Sequence, residues 1–169
     1  MNQRAPRPKR DKGRAASTGG ITALAFFTAD HAVQENGKLY VNGGFFNLIM
    51  YPVFPAVVPT LGIGASLHIP WRAHHQEHHF AITMLDEEDR ELSLRIEGAF
   101  RVGADLMFRE DEPSVINLAG NVTNLVIERP GRHTLMLHVD DQRLADWMLH
   151  AVQVPGSLST GTAPSSSDA

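Results

Sequence analysis

The sequence predicts an all-β domain, a two-sheet antiparallel sandwich of about eight strands, and three observations carry that prediction. Residues 60–69 alternate strictly: Leu61, Ile63, Ala65, Leu67 and Ile69 take one parity, and Thr60, Gly62, Gly64, Ser66 and His68 the other. Period-two alternation marks a strand with one buried face. Strand-like runs recur at short spacing, bounded by Gly, Pro, Asn or Asp, and none commits to a helical period. The 169 residues, 43% of them hydrophobic, suit one core of ordinary domain size.

In chain order, residues 21–29 and 39–50 are strand-like runs separated by Gln34-Glu35-Asn36-Gly37. Asn-Gly supplies the positive φ of a tight turn, so the two runs are expected to pair as a hairpin. Gly43-Gly44 inside the second run marks a bulge or bend. Residues 51–59 hold three prolines and read as an extended crossing loop, because proline cannot donate to a ladder. Phe80, Ile82 and Met84 repeat the alternation, and Leu92, Leu94, Ile96, Phe100 and Val102 continue it beyond the acidic turn at residues 86–89. Those two strands form a second hairpin.

Residues 115–118 and 125–127 read as short strands around a Gly120-Asn121 turn. Arg129-Pro130-Gly131 then turns the chain into residues 133–139, where Leu135, Leu137 and Val139 alternate with Thr134, Met136 and His138. Residues 143–154 fit two patterns. Leu144, Trp147, Met148 and Ala151 have helical spacing, whereas Met148, Val152 and Val154 have strand spacing. The turn at residues 139–142 favours the strand.

The domain is expected over residues 21–154, between a disordered basic arm (1–20) and a disordered Ser/Gly/Pro-rich tail (155–169). Neither end carries enough apolar surface to offset the entropy of ordering it. The arm holds six of the fifteen Lys and Arg, which leaves nine against seventeen Asp and Glu in residues 21–155. An acidic globule repels phosphate backbones, so the folded domain is not expected to bind nucleic acid, while the arm is suited to tether an anionic partner. The absence of cysteine removes disulfides, thiolate nucleophiles and Cys-based zinc sites. The apolar run at residues 21–29 is short and broken by Thr22 and Thr28, unlike a secretory signal, and no run approaches the roughly 18 apolar residues of a membrane span. A cytoplasmic protein with no membrane partner is expected.

Residues 125–133 form a strand, turn and strand start of the kind where immunoglobulin-like sandwiches place a tyrosine corner, with His133 in the tyrosine position. The expected fold is therefore an immunoglobulin-like sandwich. The segments Thr28-Ala-Asp-His-Ala-Val-Gln, Gly37-Lys-Leu-Tyr-Val-Asn-Gly-Gly44, Ile69-Pro-Trp71 and Pro130-Gly131 with Val139-Asp140 resemble an uncharacterised bacterial family of small β-sandwich proteins, a domain of unknown function. The resemblance spans residues 21–154. It rests on turn and strand signatures, so it implies a fold and carries over no activity, catalytic residue or ligand. The long basic arm and the histidine-dense loop depart from that pattern.

That loop, residues 74–79, places His74, His75, His78 and His79 around Gln76 and Glu77. Neutral imidazole binds zinc, nickel or copper, which makes the four histidines candidate ligands for a transition metal. The competing reading is a polar, solvated loop tip. Strand parity aligns His78 with Phe80, facing inward, and turns His79 outward, so one ion cannot take both. No other cofactor is expected. The carboxylates at residues 86–89 lack the spaced oxygens and glycine of a calcium loop and read as a solvated hairpin turn. No Gly-x-Ser-x-Gly elbow is present, and Gly43-Gly44 and Gly62-x-Gly64 open no helix that would cradle phosphate. Phe45, Phe46, Tyr51, Phe54 and Trp71 are candidates for a contact surface, toward a protein partner or a second copy of the chain. With no reacting constellation in view, the sequence points to a non-catalytic binding or protein-interaction module.

Overall fold

Ten strands and one 3-10 turn, Trp71–Ala73, make up the computed structural model, which describes residues 20–103 and 112–155. The expected arm and tail lie outside the described residues, apart from Gly20 and Pro155. The strands are β1 (Thr22–Ala29), β2 (His31–Glu35), β3 (Lys38–Asn42), β4 (Leu48–Tyr51), β5 (Ala56–Ile69), β6 (Glu77–Leu85), β7 (Glu91–Arg101), β8 (Ser114–Ile127), β9 (Gly131–Val139) and β10 (Gln142–Gln153). They form a three-stranded sheet β1-β5-β8, a five-stranded sheet β4-β10-β9-β6-β7, and the separate hairpin β2-β3. Pairing is antiparallel throughout except between β4 and β10, which run parallel.

The alternation in residues 60–69 becomes the central strand of the smaller sheet. Leu61, Ile63, Ala65, Leu67 and Ile69 are each at most 1% exposed, and they pack in one core with Ile82, Met84, Leu94, Leu135, Leu137 and Leu149 of the larger sheet. Each fully buried aliphatic side chain stabilises the fold by about 1.5–3 kcal/mol. The hairpin β6-β7 turns through residues 86–90, as its acidic sequence predicts. Asp86 accepts hydrogen bonds from the backbone N–H groups of Glu88 (3.0 Å) and Arg90 (2.9 Å) and pairs with the Arg90 guanidinium. The pairing holds the Asp86 carboxyl below the ordinary carboxylate range, outweighing its loss of solvent.

Four expectations need correction. Asn36 (φ 50°) and Gly37 (φ 76°) do turn a hairpin, but it joins β2 to β3, while β1 pairs with β5. Residues 51–59 are only partly a loop, since β5 already begins at Ala56. Pro59 falls between the paired Val58 and Thr60, so its missing N–H coincides with a local break in the ladder to β8.

The third correction concerns Gly120-Asn121, which is no turn; it lies inside the single 14-residue strand β8. Gly120 faces the core, where a Cβ would stand 2.9 Å from the Ile96 side chain. Asn121 faces outward, and its amide donates to the Ala32 carbonyl (2.8 Å) and accepts from the Ala32 N–H (3.0 Å). Both residues serve packing, and they resemble turn chemistry only in sequence.

The last correction concerns β10, whose parity is reversed. Leu149 and Ala151 are buried, while Met148 (50% exposed) and Val152 (40%) face out. Both parities of this strand are apolar, so alternation cannot choose between them. The register with β9, which sets Trp147 against Leu135 and Leu149 against His133, makes the choice.

Candidate functional site

The histidine-rich loop crosses from β5 to β6 at one end of the two sheets, and its four imidazoles diverge. His74 and His78 are buried, at 4% and 5% exposed, while His75 and His79 face solvent. His74 lies against the Trp71 ring (4.9 Å between centroids), and neither of its ring nitrogens has a hydrogen-bond partner among the described residues. His75 takes a left-handed backbone (φ 63°); its N–H donates to the Val102 carbonyl, and its own carbonyl accepts from the Arg101 guanidinium at 2.8 and 3.0 Å. His79 lies 3.5 Å from Glu77. Among the described residues, no three His, Asp or Glu side chains are grouped to hold a metal ion.

His78 follows the parity its sequence predicts and meets a partner that no local pattern reveals. Its Nδ1 is 2.6 Å from Asp140 Oδ2, and its Nε2 is 2.8 Å from the Ala73 carbonyl oxygen. Asp140 and Asp141 form the tight β9-β10 turn, both at positive φ (49° and 63°), and that turn swings the Asp140 carboxylate over β6. The second carboxylate oxygen accepts the His79 N–H at 3.0 Å. Burial opposes a charge on His78, but the Ala73 carbonyl and the Asp140 carboxylate together outweigh it and raise its pKa above 6.5. Asp140 shifts the opposite way: burial works against its charge, and the His78 and His79 contacts hold it below its ordinary value. With Nε2 directed at the Ala73 carbonyl, His78 has no ring nitrogen directed at a substrate proton, so the pair acts as a structural tie.

The aromatic candidates divide between core and surface. Phe46, Tyr51 and Phe54 pack against the core, and Trp71 is half-buried beside His74. Phe45 is 62% exposed, in a left-handed backbone (φ 65°), and stacks on Phe27 with ring centroids 4.0 Å apart. Its segment is anchored by Thr28, whose hydroxyl donates to the Phe46 carbonyl and accepts from Trp147 Nε1 at 3.0 Å.

A cluster of exposed apolar side chains lies elsewhere, on the outer face of the five-stranded sheet. Leu48 (47% exposed) and Met50 (60%) of β4 lie beside β10, where the register pairs Leu48 with the exposed His150 and Met50 with Val152, and Met148 follows on the same face of β10. Farther across the same sheet, Ala81, Gly98 and Ala99 line a shallow trough of about 800 Å³ bordered by Arg95, Glu97, His138 and Asp141. Sequence reasoning missed this patch. Its signal was the doubled apolar parity of residues 148–152, which is superfluous for a strand buried on one face only.

Among the described residues no helix is long and apolar enough to cross a membrane. No curated protein matches the chain. Among solved structures, it is similar to the alkylpurine DNA glycosylase AlkC of Pseudomonas fluorescens bound to DNA containing an abasic site analogue, with a TM-score of 0.39 and 10% identity, over 78% of this chain and 30% of that one. It is also similar to a β-glucosidase of Listeria innocua in complex with isofagomine, with a TM-score of 0.41 and 9% identity, over 86% of this chain and 20% of that one. The chain thus spans less than a third of either protein, and likenesses this slight transfer no chemistry to it. Residues 24–152 match a family model along most of the chain, and the protein belongs to that family of unknown function, DUF6941.

Proposed function

We propose that this chain is a non-catalytic protein-interaction module whose contact surface is the outer face of the five-stranded sheet at β4 and β10. The observation that carries the reading is the cluster of Leu48, Met50, Met148 and Val152, four large apolar side chains 40–60% exposed on neighbouring strands. Single exposed apolar residues are ordinary on a soluble protein, whereas a contiguous group marks a surface that another molecule covers. Methionine suits such a role because its flexible thioether adapts to a partner's shape.

The strand order supports an immunoglobulin-like reading of the frame. The first strands divide between the two sheets, β1 beside β5 and β4 parallel to β10, and the remaining strands close two antiparallel layers on one core. Folds of that class act through their surfaces, with no fixed chemistry.

A photo-crosslinking residue placed at Met50, compared with one at Glu35 in the β2-β3 hairpin, tests the assignment in the native host. Specific adducts at Met50 that disappear in the Met148→Glu, Val152→Glu background are expected, and sedimentation of the purified chain shows whether the partner is a second copy. Equal adducts at both positions, or adducts indifferent to the two glutamates, would overturn it.

A further inference from the structure

The His78 ring is placed between two hydrogen-bond acceptors. A neutral imidazole carries one N–H and one lone pair, so in either tautomer one nitrogen would turn its lone pair on an oxygen, at 2.6 Å from Asp140 or 2.8 Å from Ala73. A doubly protonated ring satisfies both, and the short Nδ1 to carboxylate distance is that of a charge-assisted bond. The three partners belong to separate segments: the 3-10 turn, the start of β6 and the β9-β10 turn.

We propose that His78 is held as an imidazolium that latches the 70–76 loop and the Asp140 turn to the start of β6, and that the latch opens when His78 loses its proton. Asp140 is the charged group in contact with the ring among the described residues. Nearby, Glu77 pairs with His79 on β6, Arg101 of β7 is committed to the His75 carbonyl, Arg72 lies on the 3-10 turn, and Asp141 follows Asp140. Phe100 of β7, with its ring centroid 5.3 Å from that of His78, is neutral and closes the pair from below. Asp140 also accepts the His79 N–H and donates its own N–H to the His79 carbonyl at 2.9 Å, so the carboxylate that senses the His78 charge also sets the strand start. Burial is the largest single influence on His78 and opposes its charge, so loss of the Asp140 charge lowers the His78 pKa from its raised position. Loss of the proton removes the cation from the Asp140 pair and leaves one acceptor facing a lone pair, which releases the loop carrying Trp71, His74 and His75.

Nitrogen-15 NMR of the full chain tests this directly. Below pH 6.5, two ring N–H groups on His78 are expected, with a titration midpoint above 6.5 that Asp140→Asn lowers. Amide exchange at His79 and Asp140, corrected for its intrinsic pH dependence, is expected to rise several-fold as pH passes the His78 midpoint, and to lose that step in His78→Gln. A single ring proton in the wild type, a midpoint indifferent to Asp140→Asn, or exchange without a step would each overturn the proposal; the first needs no variant to fold.

Discussion

The chain covers only the middle of the outer face of its three-stranded sheet, where Val57 and Val126 at one end and Val115 at the other remain exposed, and it leaves open the β4-β10 edge of its five-stranded sheet. Over β5 and β8 lies the β2-β3 hairpin, fitted so closely that a Cβ on Gly62 would stand 2.9 Å from the His31 Cα. Ala32 is 1% exposed there, held by the Asn121 amide, and Asn117 donates to the Gly37 carbonyl at 2.8 Å. Over β4 and β10 nothing described lies on Leu48, Met50, Met148 or Val152. The hairpin-covered middle therefore serves stability through backbone fit and two amides, whereas the β4-β10 edge carries two methionines, a leucine and a valine that folding leaves exposed. Unused apolar area on an ordered strand is the physical basis for assigning contact to that side.

Substitutions on the two sides should separate along that line, with the shared core as the upper bound. Leu137→Ala removes a fully buried side chain between the sheets and is expected to cost about 2–5 kcal/mol in denaturant unfolding. Both sheets should melt in one transition; two resolved transitions would show that the sheets do not share their stability. Gly62→Val on the covered face is expected to cost about 1–3 kcal/mol, because the obstacle is backbone and cannot rotate away. Asn121→Ala should cost about 1 kcal/mol and expose the Ala32 amide to exchange, while leaving the core amides of β5 protected.

Acid should act on the start of β9. His133 is 4% exposed, and burial lowers its pKa below 6.5 despite the Gly131 carbonyl and the Asp86 and Glu87 charges nearby. The unfolded chain then takes up the proton first, so this contribution is complete above pH 6.5 and declines as pH falls below it. His133→Phe should flatten that part of the stability curve. The His78 contribution runs oppositely: it is complete below 6.5 and declines as pH rises through the folded midpoint. The smallest effect on stability belongs to the open face, where Met148→Thr with Val152→Thr should stay within about 0.5 kcal/mol and yet abolish the proposed contact. A large loss of stability there would make the open face part of the fold.

How much of this was legible depends on the kind of residue involved. In β5, β6 and β9 one parity is apolar and the other mostly polar or small, with Met136 and Leu85 as exceptions, and the core residues follow the alternation: Leu61 to Ile69, Ile82 and Met84, Leu135 to Val139. The loop 74–79 shows the same logic on a small scale, since parity alone sends His78 in and His79 out. Reading failed where a residue's chemistry had two uses. Gly120 and Asn121 suit a turn, and they equally suit a close approach and a clamp. Asp140 reads as a turn residue, and its carboxylate closes on a histidine 62 positions away.

The sequence by itself determined the all-β class, the tight turns at residues 36–37 and 86–89, and which parity of the clear strands is buried. Those properties depend on neighbours within a few residues, through backbone sterics and the period of a pleated strand. Only the tertiary structure decided that β1 pairs with β5, that β8 runs unbroken, that β10 turns Met148 and Val152 outward, and that Asp140 reaches His78. Each of these is a choice among partners far apart in the chain, settled by which register fills the common core and satisfies buried polar groups, and no local pattern encodes that comparison.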